Sequence, residues 1–416
     1  MLLKLHSECE MSNFVVNGGK RLSGKIAVSG SKNAALPIIF ATMITRGVSV
    51  LHNVPNIKDV RTSLAILESF GADVSRLGGA VRIDTAKLFY NIPDERLVSS
   101  IRASSYLLGA SLSRFNKTEI RSFGGCNFDN RPIDMHIAAM RAFGAVCDGD
   151  RIFASGLFGA DIHFNKISVG ATVNALILSA SANGVTRIYN YAKEPHVIAL
   201  IEFLVSAGAD IRLCGDYIEV HGKELHGGTV RIIPDMIEAG TFLMMSVATD
   251  SRLDISFGCH EQLDALYKTL MRGGVSLYFD KNTVKNGCAL TEPVEFETSP
   301  YPGFATDLHP IMAPLLANAY GGVMREGVWQ SRFGYLSELS KFGVEYTVLA
   351  NTATVFPSKI VNATASATDL RGGAALLTAA LIAKGESVIR SSETVGRGYE
   401  NIAEKLRAVG ADIIEI

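Results

Sequence analysis

Six times along the chain a helix-like segment closes on a glycine and runs into a short strand-like stretch. The copies read LESFGADV (67–74), MRAFGAVC (140–147), LVSAGADI (204–211), LMRGGVSL (270–277), LSKFGVEY (339–346) and LRAVGADI (406–413). Their closing glycines, Gly71, Gly144, Gly208, Gly274, Gly343 and Gly410, recur 64 to 73 residues apart. A glycine just past the last helical turn has a physical cause: the chain turns left-handed there, and glycine does so without a steric penalty. One such signal is ordinary. Six on one beat require a fold assembled from like units.

A second series keeps the same beat. Small-residue helices are predicted to begin near SKNAALPIIF (31–40), IRASSYLLGA (101–110), VGATVNALIL (169–178), EAGTFLMMSV (238–247), ATDLHPIMAP (305–314) and TDLRGGAALL (368–377). β-rich runs follow, such as GVSVLHNV (47–54) and GVTRIYNY (184–191). Each unit therefore holds two helices and several strands, an α/β pattern. Such units either stack linearly or close into compact domains. The small-residue helix faces favour close central packing with strands outside, and six units divide evenly into two domains at RIIPDMIE (231–238).

Polar residues gather at the starts of the first helices, where free N–H groups and the dipole favour anions. Asp235, Glu238 and Asp369 read as caps. Lys32 and Arg102 oppose the dipole, so each is either a solvated basic residue or a contact for an anionic ligand.

Composition narrows the classes. The 416 residues carry a net charge of −1, with 19% charged, which gives no footprint for nucleic acid or a membrane surface. Apolar runs such as ALPIIFATMI (35–44) are too short to span a bilayer. Residues 1–10 read as a disordered extension, and Met11 is an alternative start. Six scattered cysteines suggest reduced thiols in a cytoplasmic protein. GKRLSGKI (19–26) lacks the Ser or Thr of a P-loop, and HEQLD (260–264) lacks the second histidine of a zinc-protease helix. Trp329 could stack on a ligand base, but it reads better as an ordinary buried or half-buried tryptophan. The sequence offers no metal-binding motif.

One stretch stands apart. GGCNFDNRP (124–132) sets Cys126 among turn formers, with Arg131 nearby. A cation lowers a thiol's pKa, so the placement suits a reactive thiolate, although a plain surface loop also fits.

Together GSKNAALP (30–37), NVPNIKDVRT (53–62), RAS (102–104) and GGC…RPIDMH (124–136) resemble the enolpyruvyl transferases, in particular the UDP-N-acetylglucosamine 1-carboxyvinyltransferase family. KISVGATV (166–173), PDMIEAGTF (234–242), TDL (306–308), ATDLRGGAAL (367–376) and GRGYENIAEKLRAVGA (396–411) continue the resemblance in order, over about residues 12–416.

The resemblance implies a two-domain inside-out α/β barrel with three copies of one folding unit per domain. One domain would span residues 34–232 and carry the Cys126 loop. The other would combine 11–33 with 233–416. The implied reaction moves the enolpyruvyl group of phosphoenolpyruvate to the 3-hydroxyl of UDP-N-acetylglucosamine and releases phosphate, the first committed step of peptidoglycan synthesis. By resemblance Lys32, Arg131 and Arg397 hold phosphoenolpyruvate, together with Asn33 and Cys126. Cys126 corresponds to the proton donor and Asp307 to the candidate general base. Asn33, Arg102, Arg131, Pro132, Ile133, Asp134, Met135, Lys166, Ile167, Ser168, Val169, Gly170, Asp307 and Val328 correspond to sugar-nucleotide contacts, and Arg371 lines the site. Backbone N–H groups at a helix start beside Lys166 suit a diphosphate.

Phe128 and Asp129 depart from the family's Ile-Gly, and His196 stands where an acidic residue is commoner. These departures leave room for a divergent paralogue acting on another uridine nucleotide, or a catalytically silent UDP-sugar-binding regulator. The retention of Lys32, Cys126, Arg131, Asp307 and Arg397 together favours the enzyme.

Overall fold

A computed structural model describes residues 12–121, 123–124 and 132–416. Cys126, Phe128, Asp129, Arg131 and the extension 1–10 lie outside the described residues. The fold is mixed α/β. All six closing glycines adopt positive φ, from 83° at Gly274 to 102° at Gly208, where a β-carbon would be strained.

Five four-stranded sheets among the described residues share one plan, a parallel pair at one edge followed by two antiparallel strands. In one, Thr229–Arg231 runs parallel to Val48–His52, which pairs antiparallel with Ala80–Asp84, and that strand with Asp73–Leu77. A further sheet of Lys117–Glu119, Arg151–Phe153 and Val146–Asp148 is antiparallel throughout. Alternation of buried and less buried residues along Ala80–Asp84 shows why these segments settle as strands, with one face on a core and one outward.

Helices of small and aliphatic residues lie inside. Met236–Ala248, His309–Ala317 and Leu370–Ile382 pack on one another and are buried around nearly their whole circumference. Leu107–Phe115 packs on Val169–Ser181. A β-carbon at Gly109 would sit 2.5 Å from Asn174 Oδ1, so glycine is required at that crossing.

Two hydrophobic cores result. One is built from residues 34–232, the other from 14–26 together with 237–413. The chain's early strands serve the second core. Asn13–Gly18 lies between Gly385–Arg390 and Ile413–Glu415, and Ser23–Ala27 pairs with Arg252–Ser256. Strands from the start of the chain thus pair with strands far along it, which a linear stack of successive units would not give. The chain passes between the cores twice, side by side: Ser31 N donates to Ile233 O at 2.7 Å, and Gly30 bridges Pro234. This doubled crossing sets Lys32 beside Asp235.

Candidate active site

Lys32 opens the helix Lys32–Ala41, capped by Ser31. Its backbone N–H donates to Asp235 Oδ2 at 3.1 Å, and its Nζ lies 2.6 Å from Asp59 Oδ2. Asp59, in the first turn of Lys58–Ser69, also accepts from Arg397 Nε at 3.0 Å. Burial would raise the Asp59 carboxyl, but Lys32 and Arg397 outweigh it and hold its pKa below the ordinary value. Lys32 therefore does not stand alone against its helix dipole, because a carboxylate of the chain itself supplies the anion. Arg397 Nη2 reaches Ser100 O at 3.2 Å. A β-carbon at Gly124 would sit 1.7 Å from Ser99 O, so the stretch leading to Cys126 starts against the same segment.

Asp307 lies on a 3₁₀ turn, Thr306–Leu308, that leads into His309–Ala317. Arg332 Nη1 donates to its Oδ1 at 3.0 Å, while Arg371 Nε and Nη2 donate to Oδ2 at 3.2 and 3.0 Å. Both arginines are buried, at 4% and 2% exposure, whereas the Asp307 side chain keeps 29%. Burial raises the Asp307 pKa, but the charges of Arg371 and Arg332 drive it far below the carboxylate range. His196 is half-buried and within electrostatic reach of Asp307; burial pushes its pKa down to about 4 while Asp307 pulls the other way.

The two clusters join at Asp235. It caps Met236–Ala248 through Ile237 N and Glu238 N, holds Lys32 N, and acts on Arg371 electrostatically. Asp369 caps Arg371 N and Gly372 N. Glu238 is not a cap as expected. It accepts from Ser29 N at 3.0 Å and pairs with Lys405, which also donates to Ser29 Oγ. Ser29 Oγ donates to Glu400 Oε2, and Glu400 Oε1 accepts from Asn56 N at 2.7 Å. This network ties the crossing segment to both cores.

The remaining expected contacts fall at helix starts and turns. Asn33 is half-buried beside Lys32, and Arg102 begins the 3₁₀ turn Arg102–Tyr106. Pro132 and Asp134 are exposed, Ile133 is half-buried and Met135 buried, where the helix Asp134–Ala142 begins. Lys166 and Ile167 are exposed ahead of Val169–Ser181, whose N-cap Ser168 accepts from Ala171 N at 3.3 Å, and Gly170 follows in its first turn. Val328 N donates to Glu326 Oε1 at 2.9 Å. Glu326, fully buried, also accepts from Thr306 Oγ1, next to Asp307. Among the described residues no group of three or more His, Cys, Asp or Glu side chains is arranged to hold a metal ion, and no helix is long and apolar enough to cross a membrane.

Sequence reasoning assigned no role to Asp59, Arg332, Glu326 or His136. Asp59 and His136 lie inside quoted stretches, NVPNIKDVRT and RPIDMH. Arg332, in a stretch without periodic pattern, offered no signal.

A family model for EPSP synthase (3-phosphoshikimate 1-carboxyvinyltransferase) matches residues 16–406. The chain is 40% identical to UDP-N-acetylglucosamine 1-carboxyvinyltransferase 3 of Caldanaerobacter subterraneus subsp. tengcongensis, covering 98% of this chain and 100% of the relative. The chain belongs to the UDP-N-acetylglucosamine 1-carboxyvinyltransferase family. A second member, from Clostridium botulinum, is 38% identical over 98% of this chain and 100% of its own length. Among solved structures, the enolpyruvyl transferase NikO from Streptomyces tendae is similar with a TM-score of 0.88 at 27% identity, covering 98% of this chain and 99% of NikO. Family membership thus agrees with the enolpyruvyl transferase resemblance carried by the sequence motifs.

Proposed function

We propose that the chain transfers the enolpyruvyl group of phosphoenolpyruvate to the 3-hydroxyl of UDP-N-acetylglucosamine in the cytoplasm, releasing phosphate and opening peptidoglycan synthesis. The observation that carries this reading is the pair of cation clusters at the junction of the two cores: Lys32 and Arg397 on Asp59, and Arg332 and Arg371 on Asp307. Phosphoenolpyruvate bears a phosphate and a carboxylate, and two separate cation pairs suit those two anions.

In this reading Lys32 and Arg397, with Arg131, grip the phosphate, and Asp59 holds the first two ready. Cys126 delivers a proton to C3 of phosphoenolpyruvate while the sugar 3-hydroxyl oxygen bonds to C2. The tetrahedral adduct then loses the C3 proton and phosphate, restoring the double bond. Asp307, kept ionised by its arginines, orients the hydroxyl as an acceptor. It becomes an effective base once the substrate carboxylate draws the arginines from it. Asn33, Arg102 and the segments 131–135 and 166–170, with Val328, hold the sugar nucleotide.

The architecture that suits this chemistry is two inside-out α/β barrels of three units each, divided as 34–232 and 11–33 plus 233–416. The two cores and the repeated sheet plan support that division. The test is phosphate release from phosphoenolpyruvate by the purified chain with and without UDP-N-acetylglucosamine, with the product mass checked.

A further inference from the structure

We infer that His136 presents a neutral Nε2–H donor to the diphosphate of the sugar nucleotide at the start of the helix Val169–Ser181. The inference rests on reading Lys166–Gly170 as the nucleotide site.

The argument begins at Asn174, which is fully buried. Its Oδ1 accepts from Gly109 N at 2.8 Å and its Nδ2 donates to Ser105 O at 3.1 Å. Two backbone groups of opposite character thus fix which end of the amide is which. The same Nδ2 lies 2.7 Å from His136 Nδ1. An amide N–H₂ only donates, so Nδ1 must accept, and the ring's proton sits on Nε2. A protonated ring would set two donors face to face. Burial and the Arg102 charge likewise oppose the cation, with Asp134 pulling weakly the other way, and the His136 pKa falls to about 4.

The ring's free edge has a definite address. A β-carbon on Gly170 would lie 2.9 Å from His136 Cε1 and 3.0 Å from Nε2. His136 is 4% exposed, and its Nε2 has no hydrogen-bond partner among the described residues. At that helix start Ser168 satisfies Ala171 N, while Val169 N and Gly170 N have no intrahelical acceptor. A tautomer-locked N–H on a largely buried ring therefore joins two backbone N–H groups beside Lys166, a set that fits phosphate oxygens. Glycine at 170 is what allows the ring to come this close.

The test measures binding of uridine diphosphate and of uridine to the purified full chain. His136→Leu is expected to weaken uridine diphosphate binding by about tenfold, the size of one hydrogen bond to a charged acceptor, and to leave uridine binding unchanged. His136→Gln, whose amide nitrogen can stand near the Nε2 position, recovers most of the loss. Wild-type affinity for uridine diphosphate in His136→Leu, or equal loss of both ligands, overturns the inference. Should the leucine variant fail to fold, ¹⁵N spectra of the wild-type histidines decide. One ring protonated on Nε2, shifting with uridine diphosphate and not with uridine, supports the inference. A ring protonated on Nδ1, or unmoved, overturns it. Lys166→Ala separates the two levels. If uridine diphosphate binding is lost in Lys166→Ala yet intact in His136→Leu, only the His136 role falls. If the wild type does not bind uridine diphosphate, or Lys166→Ala binds it normally, the nucleotide site itself falls.

Discussion

Asp59 and Arg397, 338 residues apart in sequence, meet with Oδ1 3.0 Å from Nε, and the other oxygen of the same carboxylate holds Lys32. One buried acid thus gathers cations from both ends of the chain. Asp59→Asn removes the carboxylate that sits between Lys32 and Arg397. A loss of about 3 kcal/mol in urea unfolding is expected, with a fall of at least about tenfold in kcat/KM for phosphoenolpyruvate. An unchanged unfolding midpoint would show that Asp59 does not organise the pair.

Arg332 and Arg371 hold Asp307 through directed N–H groups from two buried guanidiniums. A lysine carries the charge but not the planar donor geometry. Arg332→Lys is therefore expected to lower kcat/KM by about a hundredfold or more, since it perturbs both Asp307 and the proposed carboxylate grip. Steady-state kinetics check this, and near-normal turnover would remove Arg332 from the site.

Cys126→Ser and Asp307→Ala separate chemistry from binding. Each is expected to cut turnover by about a hundredfold or more, the usual range for a lost proton-transfer group. UDP-N-acetylglucosamine affinity in calorimetry should stay close to wild type for Cys126→Ser. Unchanged turnover in that variant would take the acid role from Cys126.

Acid should destabilise the protein through buried histidines. Burial, helped by Arg332, lowers His309 to about 3, and burial with Arg102 lowers His136 to about 4, from an ordinary 6.5. A base whose folded pKa is depressed contributes stability that is present above its unfolded pKa. That stability is lost as pH falls toward the folded value. Between about pH 7 and pH 4.5, roughly 2 kcal/mol per ring should disappear, and His136→Gln should flatten the trend. Urea midpoints across that window test it; parallel curves for wild type and His136→Gln would contradict it.

Local rules were readable where one residue answers one backbone demand. Each closing glycine has the positive φ its position called for, and Asp235 and Asp369 cap the helices they precede. Glu238 was misread as a cap because its partners, Ser29 and Lys405, come from segments distant in sequence. The same reason hid Asp59 and Arg332: their meaning lies in which charge they face across the fold. Lys32 showed an oddity, a cation at a helix start, but not that Asp59 would answer it. The likeness of GSKNAALP and ATDLRGGAAL to one family supplied what spacing alone could not.

Phosphate release tests the central claim most directly. The purified chain, given phosphoenolpyruvate, should release phosphate only when UDP-N-acetylglucosamine is present, with a product heavier than the sugar nucleotide by one enolpyruvyl group. Release without the sugar nucleotide, or none despite measurable binding of it, would contradict the proposed reaction.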